Sequence, residues 1–357
     1  GTFWVNLPDF TSSVDNIQLN RGVGTSTNGA GAFGASLNLI TQGVSDQAFA
    51  EIASSFGSFN TTKNTVKFST GLLNEHFELS GRVATIASGG YIDRASSDLK
   101  SYFFQGLYKD QNTLIKALTF GGSEITYQSW YGIDSATLAS NRTYNPAGEI
   151  NDSNGVLTGH YDNQVDNYKQ DHFQFHWTEQ YNSSWSSSIG LNYTYGRGYY
   201  GEYNDLWATQ NIAFGDEVNF DYLQITPLVF GETTVDTTEN ISRKWLDNDF
   251  YVGTFSVNYD SNQTQAVFGG SYSKYDGAHF GNLIWAQYSS NAAPNHRFYE
   301  SDADKKDFNL YAKATQRLGT AWTVYADIQY RIVAYNSTGT VKGPEPIAID
   351  DTLSFFN

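Results

Sequence analysis

The 357-residue sequence contains no cysteine and no methionine, only 6 prolines, and 21 bases against 37 acids. Without cysteine there is no disulfide framework and no thiolate metal site. Such a composition suits a compartment kept oxidising, such as a bacterial periplasm or outer membrane. Without methionine there is no initiator residue, and no signal segment opens the sequence, so a mature or cut chain is expected. No apolar run approaches the roughly 20 residues that a membrane helix needs. That excludes spanning helices but not a transmembrane barrel, whose alternating strands each give only a weak hydropathy signal. The absence of a basic patch excludes a nucleic-acid surface.

What is present is glycine, aromatics and alternation. Aromatic residues make up 16% of the chain, with tyrosine the most frequent of them, and mean hydropathy is −0.45. From about residue 47 onward, apolar and polar residues alternate in run after run. Phe77, Leu79 and Val83 alternate with Glu78, Ser80 and Arg82, and Phe173, Phe175 and Trp177 with His172, Gln174 and His176. Trp185, Ile189, Leu191, Tyr193 and Tyr195 form another such run, as do Trp322, Val324, Ala326, Ile328, Tyr330 and Ile332. Period-two alternation argues for strands. Several runs exceed ten residues, longer than ordinary soluble strands and suited to the 9–11 residues of a tilted bilayer crossing. Aromatics at run ends (Trp185 with Tyr193 and Tyr195, Trp322 with Tyr330) resemble girdles at two interfaces.

The connectors separate by parity. Residues 73–75, 109–112, 181–184, 259–263 and 317–320 are short, whereas 88–98, 129–167, 197–240 and 275–304 are long, with a short exception at 57–62. Short turns on one side and long loops on the other are the pattern of outer-membrane barrels. The three longest connectors carry −14 of the net charge of −16, which keeps loops solvated or attracts cations. About eleven strands are expected, with 336–351 a further outer loop and 353–356 the start of another strand. The fold class is therefore all-β, a transmembrane antiparallel β-barrel. A barrel that encloses a plug has about 22 strands, and an open half-barrel would leave unpaired edges in lipid, so the chain is expected to be part of a protein about twice as long.

Residues 14–41 organise the rest. Ile17 and Leu19 alternate with polar neighbours, Arg21-Gly22 opens a run of small residues, and Leu37 and Leu39 resume the alternation. With no helix signal and no Gly-Lys-Ser/Thr, this run is not a phosphate loop. Arg21-Gly22, Gly31, Phe33-Gly34, Leu37-Asn38 and Ile40-Thr41 instead resemble the end of the plug domain of TonB-dependent outer-membrane receptors, and residues 3–10 fit those of Bacteroidetes-type bacteria. The resemblance implies that 1–43 are the C-terminal part of a plug domain and 44–357 the first half of the barrel.

The resemblance also implies plug–barrel contacts through Arg21, Gly22, Gly34, Asn38 and Glu78. Arg21 would pair with an inner-wall acid, either Glu78 or Asp327, as a static ion pair or as a lock that opens. Gly22, Gly29, Gly31 and Gly34 serve backbone geometry. Trp130, Tyr131, Tyr199, Tyr200, Tyr203, Trp207 and Trp285 fall in the long connectors and either line an external ligand cup or pack loops together. His172 and His176 share a face, but strand rise separates them by about 13 Å, too far for one metal; His160, His279 and His296 also invite a metal reading. No metal site and no cofactor is expected. No nucleophile elbow or zinc motif is legible, so an enzyme is not expected.

The implied function is TonB-dependent uptake of a scarce nutrient such as an iron–siderophore, haem, cobalamin or a glycan. TonB with its inner-membrane energising complex would be the partner. The alternative is a surface-binding or structural barrel subunit of a larger outer-membrane assembly with a lipoprotein partner.

Overall fold

The computed structural model describes residues 6–22, 24–26, 34–41, 43–207, 215–340 and 348–356. A 3-10 turn (Phe10–Ser13) leads into β1 (Val14–Arg21), which pairs with β2 (Ala35–Thr41) as an antiparallel hairpin. The chain then enters a meander: β3 (Ala48–Gly57), β4 (Thr61–Thr70), β5 (Phe77–Ser88), β6 (Ser97–Lys109) and β7 (Thr113–Tyr127). The next outer connection carries the short α1 (Ser135–Ser140), β8 (Glu149–Asn151) and β9 (Leu157–His160). β10 (Val165–Gln180) and β11 (Trp185–Asn204) follow, then β12 (Leu228–Phe230) and β13 (Thr233–Val235) within a second outer connection. The meander ends with β14 (Asn240–Asp260), β15 (Thr264–Ala286), β16 (His296–Leu318), β17 (Trp322–Thr340) and β18 (Ala348–Phe356).

Twelve of these strands form one antiparallel sheet in sequence order, from β3 at one edge to β18 at the other, with β8–β9 and β12–β13 as separate small hairpins. Among the described residues the two edges do not pair, so the sheet is open. The fold is the transmembrane barrel type that the alternation indicates, and the short turns fall where the sequence places them.

Because paired residues point to the same face, the register separates the two sides. One row reads Leu79, Gly106, Ala117, Phe175, Leu191, Gly253, Tyr272, Phe308 and Ile332. The adjacent row reads Ser80, Gln105, Leu118, Gln174, Asn192, Val252, Ser273, Asp307 and Val333. The first row is apolar and open: Leu191 is 53% exposed and Tyr272 47%. An apolar surface continuous over so many strands far exceeds what a soluble monomer exposes and is what hydrocarbon would cover. The second row faces the plug segment.

Two expectations about boundaries are corrected. Residues 275–286 and 296–304 are not loop but the upper parts of β15 and β16, both 23 residues long, and 197–204 continue β11. Their acids look loop-like in sequence, yet they sit beside cations at the same sheet surface, as in Lys274–Asp276 at 2.7 Å, and pairing continues through them. The last strand starts at Ala348, ahead of the expected 353; residues 341–347 lie outside the described residues.

Candidate ligand cup and plug contacts

The plug segment is tied to the inner wall by charge and by rings. Asp9 accepts from Lys63 Nζ at 2.6 Å and from Arg82 Nη1 at 2.8 Å, while Arg82 Nε donates to Ser13 Oγ at 2.7 Å and Arg82 Nη1 to Ser101 Oγ at 3.2 Å. Arg82 is only 2% exposed, so the carboxylate and hydroxyls that meet it offset a desolvation cost it could not otherwise bear. Beside this pair the Phe10 ring sits 4.6 Å from Phe120, and Leu7 and Phe10 pack on Phe103, Leu118 and Phe120. Gly122 makes room for Pro8, since a Cβ there would come within 2.7 Å of the proline ring.

The expected Arg21 pairing is not what the structure builds. Arg21 is exposed at the end of β1, and among the described residues it forms no ion pair. Glu78 accepts instead from Ser69 Oγ at 2.6 Å and from the Ser45 backbone N–H at 3.1 Å, at the junction between plug and barrel. Asp327 accepts from the Ser26 N–H at 3.1 Å and from the Tyr325 hydroxyl at 2.9 Å. Both acids are thus used, but by backbone and hydroxyl donors. Gly22 (φ 85°) donates to the Gly34 carbonyl at 2.8 Å and closes the bend, and a Cβ at Gly22 or Gly34 would meet nothing within 4 Å. Asn38 pairs in register with Gln18 and is exposed. Gly22, Gly34 and Asn38 therefore shape the hairpin and make no described barrel contact. Gly29, Gly31 and Phe33 lie outside the described residues.

At the other end of the wall, the connection between β11 and β14 folds inward. Phe220, Tyr222, Leu223 and Ile225 pack against Leu283 of β15 and Phe298 of β16 in a buried cluster. His296 Nε2 hydrogen-bonds with the Leu223 carbonyl at 3.0 Å. The anchor is ionic. Lys244 Nζ on β14 lies 2.5 Å from Glu202 Oε2 on β11 and 2.5 Å from Glu217 Oε2 in the connection, and all three side chains are under 5% exposed. Tyr222 donates to Glu217 Oε1 at 2.9 Å, Asn240 to the Glu217 carbonyl at 2.9 Å, and Tyr131 to Glu202 Oε1 at 3.2 Å.

Counting a crossing of about ten residues from the short turns, this group stands above the bilayer. Burial alone would lower the Lys244 ammonium, but the two carboxylates outweigh it and hold its pKa above the ordinary value. Burial raises the Glu202 carboxyl, and Glu217 beside it adds to this against the pull of Lys244. Two acids share one base, an arrangement that only tight hydrogen bonding makes tolerable.

The expected loop aromatics divide. Tyr200 faces inward, with Trp130 at 6.2 Å edge-on and Lys244 Nζ 5.2 Å from its ring, and Tyr131 joins the same group. Tyr199 points to the opposite face, packed on Trp245 at 4.7 Å under the Arg243 guanidinium. Tyr203, on that outer face as well, donates to Glu239 at 2.9 Å. Trp285 pairs with Ile241 on the outer face and is 45% exposed. Trp207 is exposed, and its backbone N–H donates to Asp205 Oδ1 at 2.8 Å. The inward-facing group therefore comprises Trp130, Tyr131 and Tyr200, together with Tyr299, Glu202 and Lys244; Tyr199 and Trp285 are not part of it. The period of two along β11 separates the adjacent tyrosines.

His172 stacks on Phe120 at 4.5 Å and hydrogen-bonds with Gln170 and Thr194, and His176 with Gln174. Among the described residues no group of three His, Cys, Asp or Glu is placed to hold a metal ion.

An open sheet with the segment of residues 7–13 docked on its polar face, short turns at one end and an inward-folded connection at the other defines a plug-bearing barrel fold. The solved structures it resembles are of that kind. The ferric-catecholate import receptor Fiu from E. coli K12, in its open form, aligns with a TM-score of 0.66 over 97% of this chain and 56% of that one, at 12% identity. The siderophore receptor PiuA from Acinetobacter baumannii gives 0.63 over 97% and 51%, at 10% identity. The outer-membrane receptor FpvA from Pseudomonas aeruginosa PAO1, bound to pyoverdine, gives 0.61 over 97% and 49%, at 12% identity. The chain spans about half the length of the structures it matches. No family model matches the sequence, and no curated protein matches it.

Proposed function

We propose that this chain is the plug end and first half of the barrel of an outer-membrane receptor for TonB-dependent uptake of a scarce nutrient. The observation that carries the reading is the plug segment held on the inner wall by Asp9, Arg82 and Phe10. A wall with a segment docked inside it is a closed pore that must be opened, unlike a passive porin. The aromatic cup above it, with one buried base and two acids, suits a bulky chelate, and an iron–siderophore is the ligand class we favour over haem, cobalamin or a glycan. Residues 1–43 are then plug, 44–357 wall, and the complete barrel has about 22 strands. TonB and its energising complex, the Bacteroidetes-type source and the absence of catalysis rest on the resemblance of residues 3–41 and on the neighbours' nature as receptors. A structural subunit with a lipoprotein partner is the less favoured reading, since it gives the docked plug no purpose.

The test is uptake of radiolabelled ferric chelates by cells carrying the full natural chain, with and without the proton-motive force. Energy-dependent accumulation of one chelate supports the reading. Surface binding without accumulation in any energised cell refutes transport.

A further inference from the structure

We propose that the outer face of β6, β7 and β10 binds the phosphate-bearing headgroup of an anionic membrane lipid. Thr85, Lys100, Ser123, Lys169 and Arg197 stand side by side in one register row across five neighbouring strands. Strand spacing puts the Lys100 and Lys169 backbones about 10 Å apart across Ser123, with Arg197 one strand further. Two ammonium groups on flexible stems and a hydroxyl between them are thus aimed at one volume.

The row lies on the same face as the apolar belt. Directly beside it a cleft of about 490 Å³ opens, with Lys100, Ser123 and Lys169 on its rim and Val66, Val83 and Tyr102 in its wall. A polar rim over an apolar cleft fits a headgroup joined to an acyl chain; a free anion has no use for the cleft.

The row has paired acids, but they sit deeper than the bases. Lys169 is 62% exposed and its partner Asp171, 3.0 Å away, 14%; Arg197 is 49% exposed and Asp247, at 3.4 Å, 26%. Asp171 is engaged further by the Tyr102 hydroxyl at 2.7 Å. Lys100 leans toward Asp98 at 3.6 Å, where both are exposed. A phosphate arriving from the bilayer side therefore meets ammonium and guanidinium first. In a chain of net charge −16, three bases in one row on the lipid side are complementary to an anionic headgroup. The inference is independent of what the receptor transports.

The experiment is native mass spectrometry of the full natural chain in micelles containing phosphatidylglycerol, or phosphatidylcholine as the neutral comparison. Retention of phosphatidylglycerol over phosphatidylcholine is expected. Lys100→Ala with Lys169→Ala should weaken it about fivefold per lysine, ~25-fold together, while Lys100→Arg with Lys169→Arg and the distant Lys109→Ala keep it. Heat-dependent gel mobility verifies that each barrel is folded; if the double alanine variant does not fold, Arg197→Ala alone should still weaken retention about fivefold. Equal retention of the two lipids, undiminished retention in the folded alanine variants, or displacement of the lipid by inorganic phosphate would each overturn the proposal.

Discussion

Replacing Lys244 with methionine removes the single base from between Glu202 and Glu217 while keeping most of the side-chain volume. The ammonium lies 2.5 Å from each carboxylate and is 1% exposed, so its loss leaves two buried acids facing each other without a counter-ion. Deleting one partner of a buried pair costs about 3–5 kcal/mol. Protonation of one carboxyl recovers part of this, and Glu202 is already raised, which favours the lower end, about 3 kcal/mol. The cost falls on the contact between the 217–225 segment and β14–β16, because Glu217 is the segment's ionic tie. At 1.4 kcal/mol per factor of ten, local opening of that segment becomes roughly 100-fold more frequent. Hydrogen-exchange mass spectrometry of peptides covering 217–225 reads this directly, with β5–β7 peptides as the unchanged reference. The triple variant Lys244→Met, Glu202→Gln, Glu217→Gln should recover most of the protection. Unchanged exchange in Lys244→Met would refute the argument that the ion group holds the connection inward.

The same group gives the anchor a pH dependence. A raised Lys244 contributes fully below its ordinary value of 10.5 and loses that contribution as pH rises through its folded value. A raised Glu202 acts in the same direction, being favourable protonated and less so as pH rises above its ordinary 4.5. Protection of 217–225, corrected for intrinsic exchange, should therefore fall with rising pH; a rise would contradict both shifts. Asp9→Asn should leave Arg82 buried without its carboxylate and loosen the plug segment by about 3 kcal/mol, seen as faster exchange of residues 6–13 with the barrel unaffected. Phe10→Ala should cost that docking about 1 kcal/mol through the lost ring pair alone, plus the buried area; an effect confined to the barrel strands would contradict the docking geometry.

Strand periodicity made the sheet legible, because lipid on one side and a polar lumen on the other force alternation through every crossing, as in Phe173 to Trp177. The short turns were legible for the same reason: alternation must stop and reverse within a few residues. Above the bilayer the outer face no longer needs to be apolar. Asp276 and Asp304 therefore read as loop although they belong to strands 23 residues long. The site was less legible. Asp9 meets Arg82 across 73 residues of chain, and nothing local marks that pairing beyond an arginine at an inward position of β5. The family resemblance drew attention to Arg21, whereas the buried arginine is Arg82. Tyr199 and Tyr200 were grouped as neighbours, although the alternation that identified β11 already assigns them to opposite faces. Lys244 and Glu217 became a pair only through the fold of the connection between β11 and β14.

The central claim is that this sheet crosses a membrane with the plug-bearing face inward. The sequence has no cysteine, so single cysteines introduced along β11, in the full natural chain freed of any other cysteine, can be labelled in isolated outer membranes. Labelling with a membrane-impermeant maleimide should alternate: Asn192 and Thr194, on the inner face, reactive once the plug is loosened by Asp9→Asn; Leu191 and Tyr193, on the outer face, protected until detergent replaces the lipid. Equal reactivity of the two sets in intact membranes would mean that no bilayer covers the apolar face, and the account would fail.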